Sequence, residues 1–76
     1  MSYSEEEIQR SKARWESAQA ERRAAYNRVM TAFAYFVAGL GSAPAEDDLA
    51  RLKVCVAVED EAAHNYAALL ESALRV

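Results

Sequence analysis

The chain has 76 residues, about half of an average domain, which excludes a catalytic module joined to a regulatory one. Hydrophobic residues make up 53% of it, but 17 of these are alanine, and the 23 that remain are few for a self-sufficient core at this size. The only cysteine, Cys55, rules out an intrachain disulfide, and a net charge of −3 gives no reason to expect nucleic acid or an anionic membrane as a partner.

Two glycines and one proline leave few places to turn, so the composition predicts an all-α chain rather than a small β fold. The stretch Met1 to Gln9 is polar and acidic, so no secretory signal is expected. The longest stretch without formal charge, Val29 to Ala45, has an apolar part of about a dozen residues, short of the roughly 20 that cross a bilayer. With a lone cysteine, these features lead us to expect a cytoplasmic protein.

The first helix begins where Ser4 precedes Glu7 at capping-box spacing, with Glu5, Glu6 and Glu7 loading the positive end of its dipole. No glycine or proline follows until Gly39. Ile8, Trp15, Ala18, Ala25, Val29, Phe33, Phe36 and Leu40 recur at helical spacing, predicting a helix over about residues 5–40. Gly39, Gly41, Ser42 and Pro44 are the only cluster of breakers and predict a turn at about 41–44, with Ser42 or a neighbour as cap and Pro44 in the first helical turn. Leu49, Leu52, Val56, Ala63, Tyr66, Leu70 and Leu74 then define the stripe of a second helix over about 45–75. Asp47 with Arg51 and Glu71 with Arg75 are acid-before-base pairs four residues apart.

So short a connection makes the helices antiparallel neighbours, giving a single hairpin domain over residues 1–76. Residues whose numbers add to roughly 85 are expected to face each other. Residues 10–28 hold six basic groups against two acids, and 45–61 hold six acids against two bases, so the two blocks complement one another across the hairpin. Glu59 falls on the second stripe and is expected to pair with Arg22, Arg23 or Tyr26; Trp15 and Tyr66 are expected to be close. Ala18, Ala25, Ala32, Ala63 and Ala67 let the backbones approach, and Cys55 reads as a small core residue.

Val29 to Leu40 and Val54 to Val58 are apolar nearly all round, more than one partner helix can cover. The expectation is therefore a homodimer or higher oligomer forming a four-helix bundle, with Met30, Phe33, Phe36, Val37, Leu40, Leu49, Leu52 and Val56 at the interface. The function this implies is non-enzymatic: an adaptor, accessory protein or inhibitor that presents a helical apolar face to itself or to a larger partner protein. No phosphate loop, nucleophile elbow or zinc spacing is present, and no cofactor is expected.

Two alternatives attach to particular residues. Glu61 and His64 form a Glu-x-x-His step that puts a carboxylate and an imidazole on one helical face. In architecture and in this motif the chain resembles the two-helix encapsulated ferritins, and that resemblance implies metal binding through Glu61 and His64. It also implies a further glutamate from the middle of helix one, where Val29 to Ala34 hold no carboxylate. In architecture alone the chain is similar to small plasmid-copy-control hairpin dimers, which implies nucleic-acid modulation through residues such as Arg10, Arg14, Arg22 and Arg28.

Overall fold

The computed structural model describes residues 4–75; Met1 to Tyr3 and Val76, which the expected 1–76 domain includes, lie outside the described residues. Two helices, α1 (Glu5–Val37) and α2 (Glu46–Leu74), pack against each other as an antiparallel hairpin. The result is a rod of 58 × 15 × 14 Å with a radius of gyration of 17.2 Å, where a compact chain of this length would measure about 11 Å.

At the start of α1 the Ser4 hydroxyl accepts from the Glu7 amide at 3.2 Å, which is one arm of the capping box. Arg10 pairs with Glu6 at 3.0 Å one turn on. The helix stops at Val37, three residues short of the expected end, because Gly39 takes a left-handed φ of +75°. That conformation lets the Gly39 amide donate to the Phe36 carbonyl and the Leu40 amide donate to the Tyr35 carbonyl, satisfying two carbonyls the helix end leaves open. A Cβ at Gly39 would meet nothing within 4 Å, so only backbone strain opposes substitution there. Gly39→Ala is expected to lower stability by about 1 kcal/mol in urea unfolding with an unchanged slope, and Gly41→Ala, whose Cβ would sit 3.7 Å from that of Tyr35, is expected to be neutral.

Pro44 lies outside the second helix rather than in its first turn. The N-cap is Ala45, which offers no side-chain acceptor, so Ser42 does not cap α2. Glu46, Asp47 and Asp48 fill the first turn in its place, with their charge at the positive dipole end. Asp48 reaches across to Arg28 at 3.1 Å, while Asp47 and Arg51 form no ion pair. Glu71 and Arg75 do pair.

The helices meet along two matched rows spaced three and four residues apart. On α1 these are Ile8, Ser11, Trp15, Ala18, Arg22, Ala25, Val29 and Ala32; on α2 they are Asp48, Leu52, Cys55, Glu59, Ala62, Tyr66, Leu69 and Ala73, all buried or half-buried. This is heptad packing with a small residue at most d positions of α1. The buried residues among those described are Ala18, Ala25, Val29 and Ala62. Trp15 and Tyr66 stack in the terminal half of the seam with ring centroids 5.5 Å apart at 30°. Arg22 and Glu59 form an ion pair across its middle.

Two expectations shift in register. The facing pairs Trp15–Tyr66, Arg22–Glu59 and Arg28–Asp48 have numbers that add to 81, 81 and 76, below the expected 85. Residues 42–45 are not helical, and non-helical chain covers up to about 3.3 Å per residue against 1.5 Å in a helix, so α2 starts further back along α1 than a direct helix-to-helix reversal would place it. The seam is also rotated. Ala62 is buried where Ala63 and Ala67 were expected, Ala67 is exposed, and Leu49, Val56 and Leu74 lie outside.

Candidate functional site

Trp15, Arg22 and Val29 on α1, with Leu52, Glu59 and Tyr66 on α2, occupy a positions of the heptads. Ala18 and Ala25 on α1, with Cys55 and Ala62 on α2, occupy d positions. Position e flanks a, and position g flanks d. In an antiparallel pair the e positions of both helices lie on one side of the hairpin and the g positions on the other. The surface grooves follow this rule. One of about 330 Å³ is lined by Glu21, Arg28 and Arg51 beside Cys55, and another of about 380 Å³ by Arg14, Asn65 and Ser72 beside Ser11 and Leu69. The polar residues Glu21, Arg28, Arg51, Arg14, Asn65 and Ser72 are all g positions, and towards the turn the same side carries exposed Tyr35 and Val58.

The e side is different. Tyr26, Met30, Phe33 and Val37 recur on α1 at steps of four, three and four, and Leu40 continues the row into the turn. These are the e and b positions, and all five are exposed. Leu49 and Val56 are the e positions of α2 near the turn and are exposed on the same side, followed by half-buried Ala63 and Leu70. Apart from Leu74, every exposed large apolar residue of the described chain lies between Tyr26 and Val58. Among them Tyr35, Val54 and Val58 are exposed at g and c positions, while seven form an apolar strip on the e side of the turn half. Towards the chain termini α1 continues it with Arg23, Gln19, Glu16 and Lys12.

Of the eight residues expected at an interface, Met30, Phe33, Val37, Leu40, Leu49 and Val56 share this face. Phe36 and Leu52 belong instead to the rows between the helices, where Leu52 is half-buried and Phe36, at the end of the seam, is exposed. Sequence reasoning missed Tyr26 as a member of the strip. Counting back from Met30 by four would have found it.

The remaining chemistry-bearing residues are dispersed. Glu61 and His64 are exposed at c and f positions of α2, turned away from α1, and His64 takes part in none of the ion pairs of the described residues. No group of three His, Cys, Asp or Glu side chains able to hold a metal occurs among the described residues. Cys55 is half-buried in the seam. Of the arginines expected to face nucleic acid, Arg10, Arg22 and Arg28 are each paired with a carboxylate. No helix among the described residues is long and apolar enough to cross a membrane.

Comparison with protein-family models, curated proteins and solved structures finds no match to this chain. Its own geometry therefore carries the functional reading.

Proposed function

We propose that the protein is a non-enzymatic, self-assembling interaction protein whose unit is a homodimer, two hairpins joined through their e-side faces into a four-helix bundle. The observation that carries this reading is the concentration of Tyr26, Met30, Phe33, Val37, Leu40, Leu49 and Val56 on one side, while the other side carries Tyr35 and Val58 among mostly polar g positions. Contiguous exposed apolar surface of this kind marks a contact surface.

The area supports a second copy as the occupant. The chain exposes 5925 Å², where a compact globular chain of 8.4 kDa exposes about 4600 Å². The excess exceeds the roughly 800 Å² that each partner contributes to a standard interface. The energetics agree. Each of the seven side chains is already partly covered, so finishing its burial is worth about 0.7–1.5 kcal/mol. Fourteen of them in a dimer yield about 10–20 kcal/mol against an association cost of about 4–15 kcal/mol. The turn end, where Val37 and Leu40 protrude furthest, is the place at which an assembled bundle would present apolar surface to a larger protein.

Thermal unfolding followed by helical circular dichroism tests the reading. Folding linked to dimerisation makes the midpoint rise by about 5 °C for each tenfold increase in protein concentration. A midpoint independent of concentration from about 1 μM to 1 mM would overturn it.

A further inference from the structure

We infer that the two hairpins of the dimer lie with their turns at the same end, so that α1 of one copy packs beside α2 of the other and Arg23 pairs with Asp60 of the second copy. This rests on the dimer reading above and specifies its geometry.

Three observations carry it. First, on α1 the apolar strip occupies only the turn half of the rod, and Arg23, Gln19, Glu16 and Lys12 follow it. A twofold axis along the rod lays strip against strip over its whole length. An axis across the rod with full overlap lays Phe33 and Met30 of one copy against Lys12 and Glu16 of the other, which buries charge against aromatic surface.

Second, an across-rod axis can match strip to strip only by sliding the copies until they overlap at their turn halves. Arg23 then lies over the other copy's turn, where Gly41, Ser42 and Ala43 offer no acid.

Third, Arg23 and Asp60 are both b positions on the apolar side, both are exposed, and neither takes part in the ion pairs of the described residues. They sit at nearly the same height at the lower border of the strip, as the register of the Arg22–Glu59 pair next to them shows. With turns together, each Arg23 comes level with Asp60 of the second copy to within about one helical turn, a reach that a guanidinium spans. The two pairs then close the strip on its polar side, where charge complementarity fixes orientation more than it adds affinity.

The test combines distances with a charge swap. Spin labels at Ser17→Cys and at Ser42→Cys, each in a Cys55→Ala background, report the orientation, since both serines are exposed. With turns together, both intermolecular distances fall within about 30 Å, set by helices 8–10 Å apart and the label arms. A strip-on-strip dimer with opposed turns separates the Ser17 labels by more than about 45 Å. Full overlap with opposed turns puts the Ser42 labels at opposite ends of the 58 Å rod. Arg23→Glu and Asp60→Arg are each expected to weaken the dimer roughly tenfold, and the double swap to restore it.

A long distance from either label overturns the orientation and leaves the dimer standing. Two short distances with no rescue by the double swap overturn the Arg23–Asp60 contact. A monomeric mass with no intermolecular distance overturns the dimer itself and the inference with it.

Discussion

Replacing Phe33 by Asp is expected to convert the dimer to monomers at micromolar concentration, with Kd raised at least a hundredfold and helical signal lost at 37 °C. Phe33 stands at the centre of the apolar strip and is 48% exposed in the single hairpin. Two copies of the ring leave the interface of each dimer. Full burial of one is worth about 1.5–3 kcal/mol, of which about half is still to be gained on association, so the lost apolar contact alone accounts for a tenfold to hundredfold change. The introduced carboxylate adds the cost of dehydrating a charge without a partner. Helix is lost as well, because the seam inside the hairpin buries only Ala18, Ala25, Val29 and Ala62 and holds no large side chain completely out of water. Long helices of this kind draw most of their stability from packing rather than propensity.

A matched pair on α2 separates the role of the face from a general loss of hydrophobicity. Val56 and Val58 are the same residue type two positions apart, 40% and 46% exposed, but Val56 is an e position and Val58 a g position. Val56→Lys is expected to weaken the dimer about tenfold or more, and Val58→Lys to leave the mass and midpoint unchanged. Equal effects at both sites would contradict the assignment of the face. Sedimentation velocity at a series of concentrations reads both.

The second large effect is expected inside the seam. Glu59→Ala should lower stability by about 2 kcal/mol, a fall of about 10 °C in the midpoint, because it strands the Arg22 guanidinium between two helices. The Arg22 side chain keeps 32% of its exposure and Glu59 only 15%, which places the effect below the 3–5 kcal/mol of a fully buried pair. Changing both to leucine is expected to restore or exceed the original stability, since apolar side chains of similar size fit a heptad seam. What the double variant loses is register: the pair stands at one level of an alanine-rich seam that offers few other features to prevent the helices from sliding by a heptad. Broadened amide resonances in the double variant, beside sharp ones in the original, are the expected signature. A double variant as unstable as Glu59→Ala would show that the pair contributes stability outright.

Much of the fold was legible in the residues. The breakers between Gly39 and Pro44 marked the turn because nothing else in the chain interrupts a helix, and Ser4 with Glu7 marked the start of α1. Trp15 with Tyr66 and Arg22 with Glu59 were recognisable as partners, since antiparallel geometry brings together residues equidistant from the turn. The rotation of the seam was harder to read. Size suggests that Phe33, Leu49 and Val56 belong inside, but the helices approach along rows in which alanine, serine and cysteine alternate with larger residues such as Trp15, Leu52 and Tyr66, and Phe33, Leu49 and Val56 are left on the flank. The row Leu49, Val56, Ala63, Leu70 and the row Leu52, Glu59, Tyr66 run side by side on α2 at heptad spacing, so periodicity alone merges them. The charged Glu59 in the inner row disguises it further, as a carboxylate reads as surface until its arginine is found. The apolar face was legible as an excess of large residues near the turn, whereas its side of the hairpin required the seam to be placed first.

Sedimentation equilibrium of the purified chain at micromolar concentration tests the central claim most directly. The account predicts a mass of about 17 kDa, twice the 8.4 kDa of the chain, falling to the single-chain value for Phe33→Asp and unaffected by Val58→Lys. A mass of 8.4 kDa for the unaltered protein across that range, with its helices intact, would contradict it.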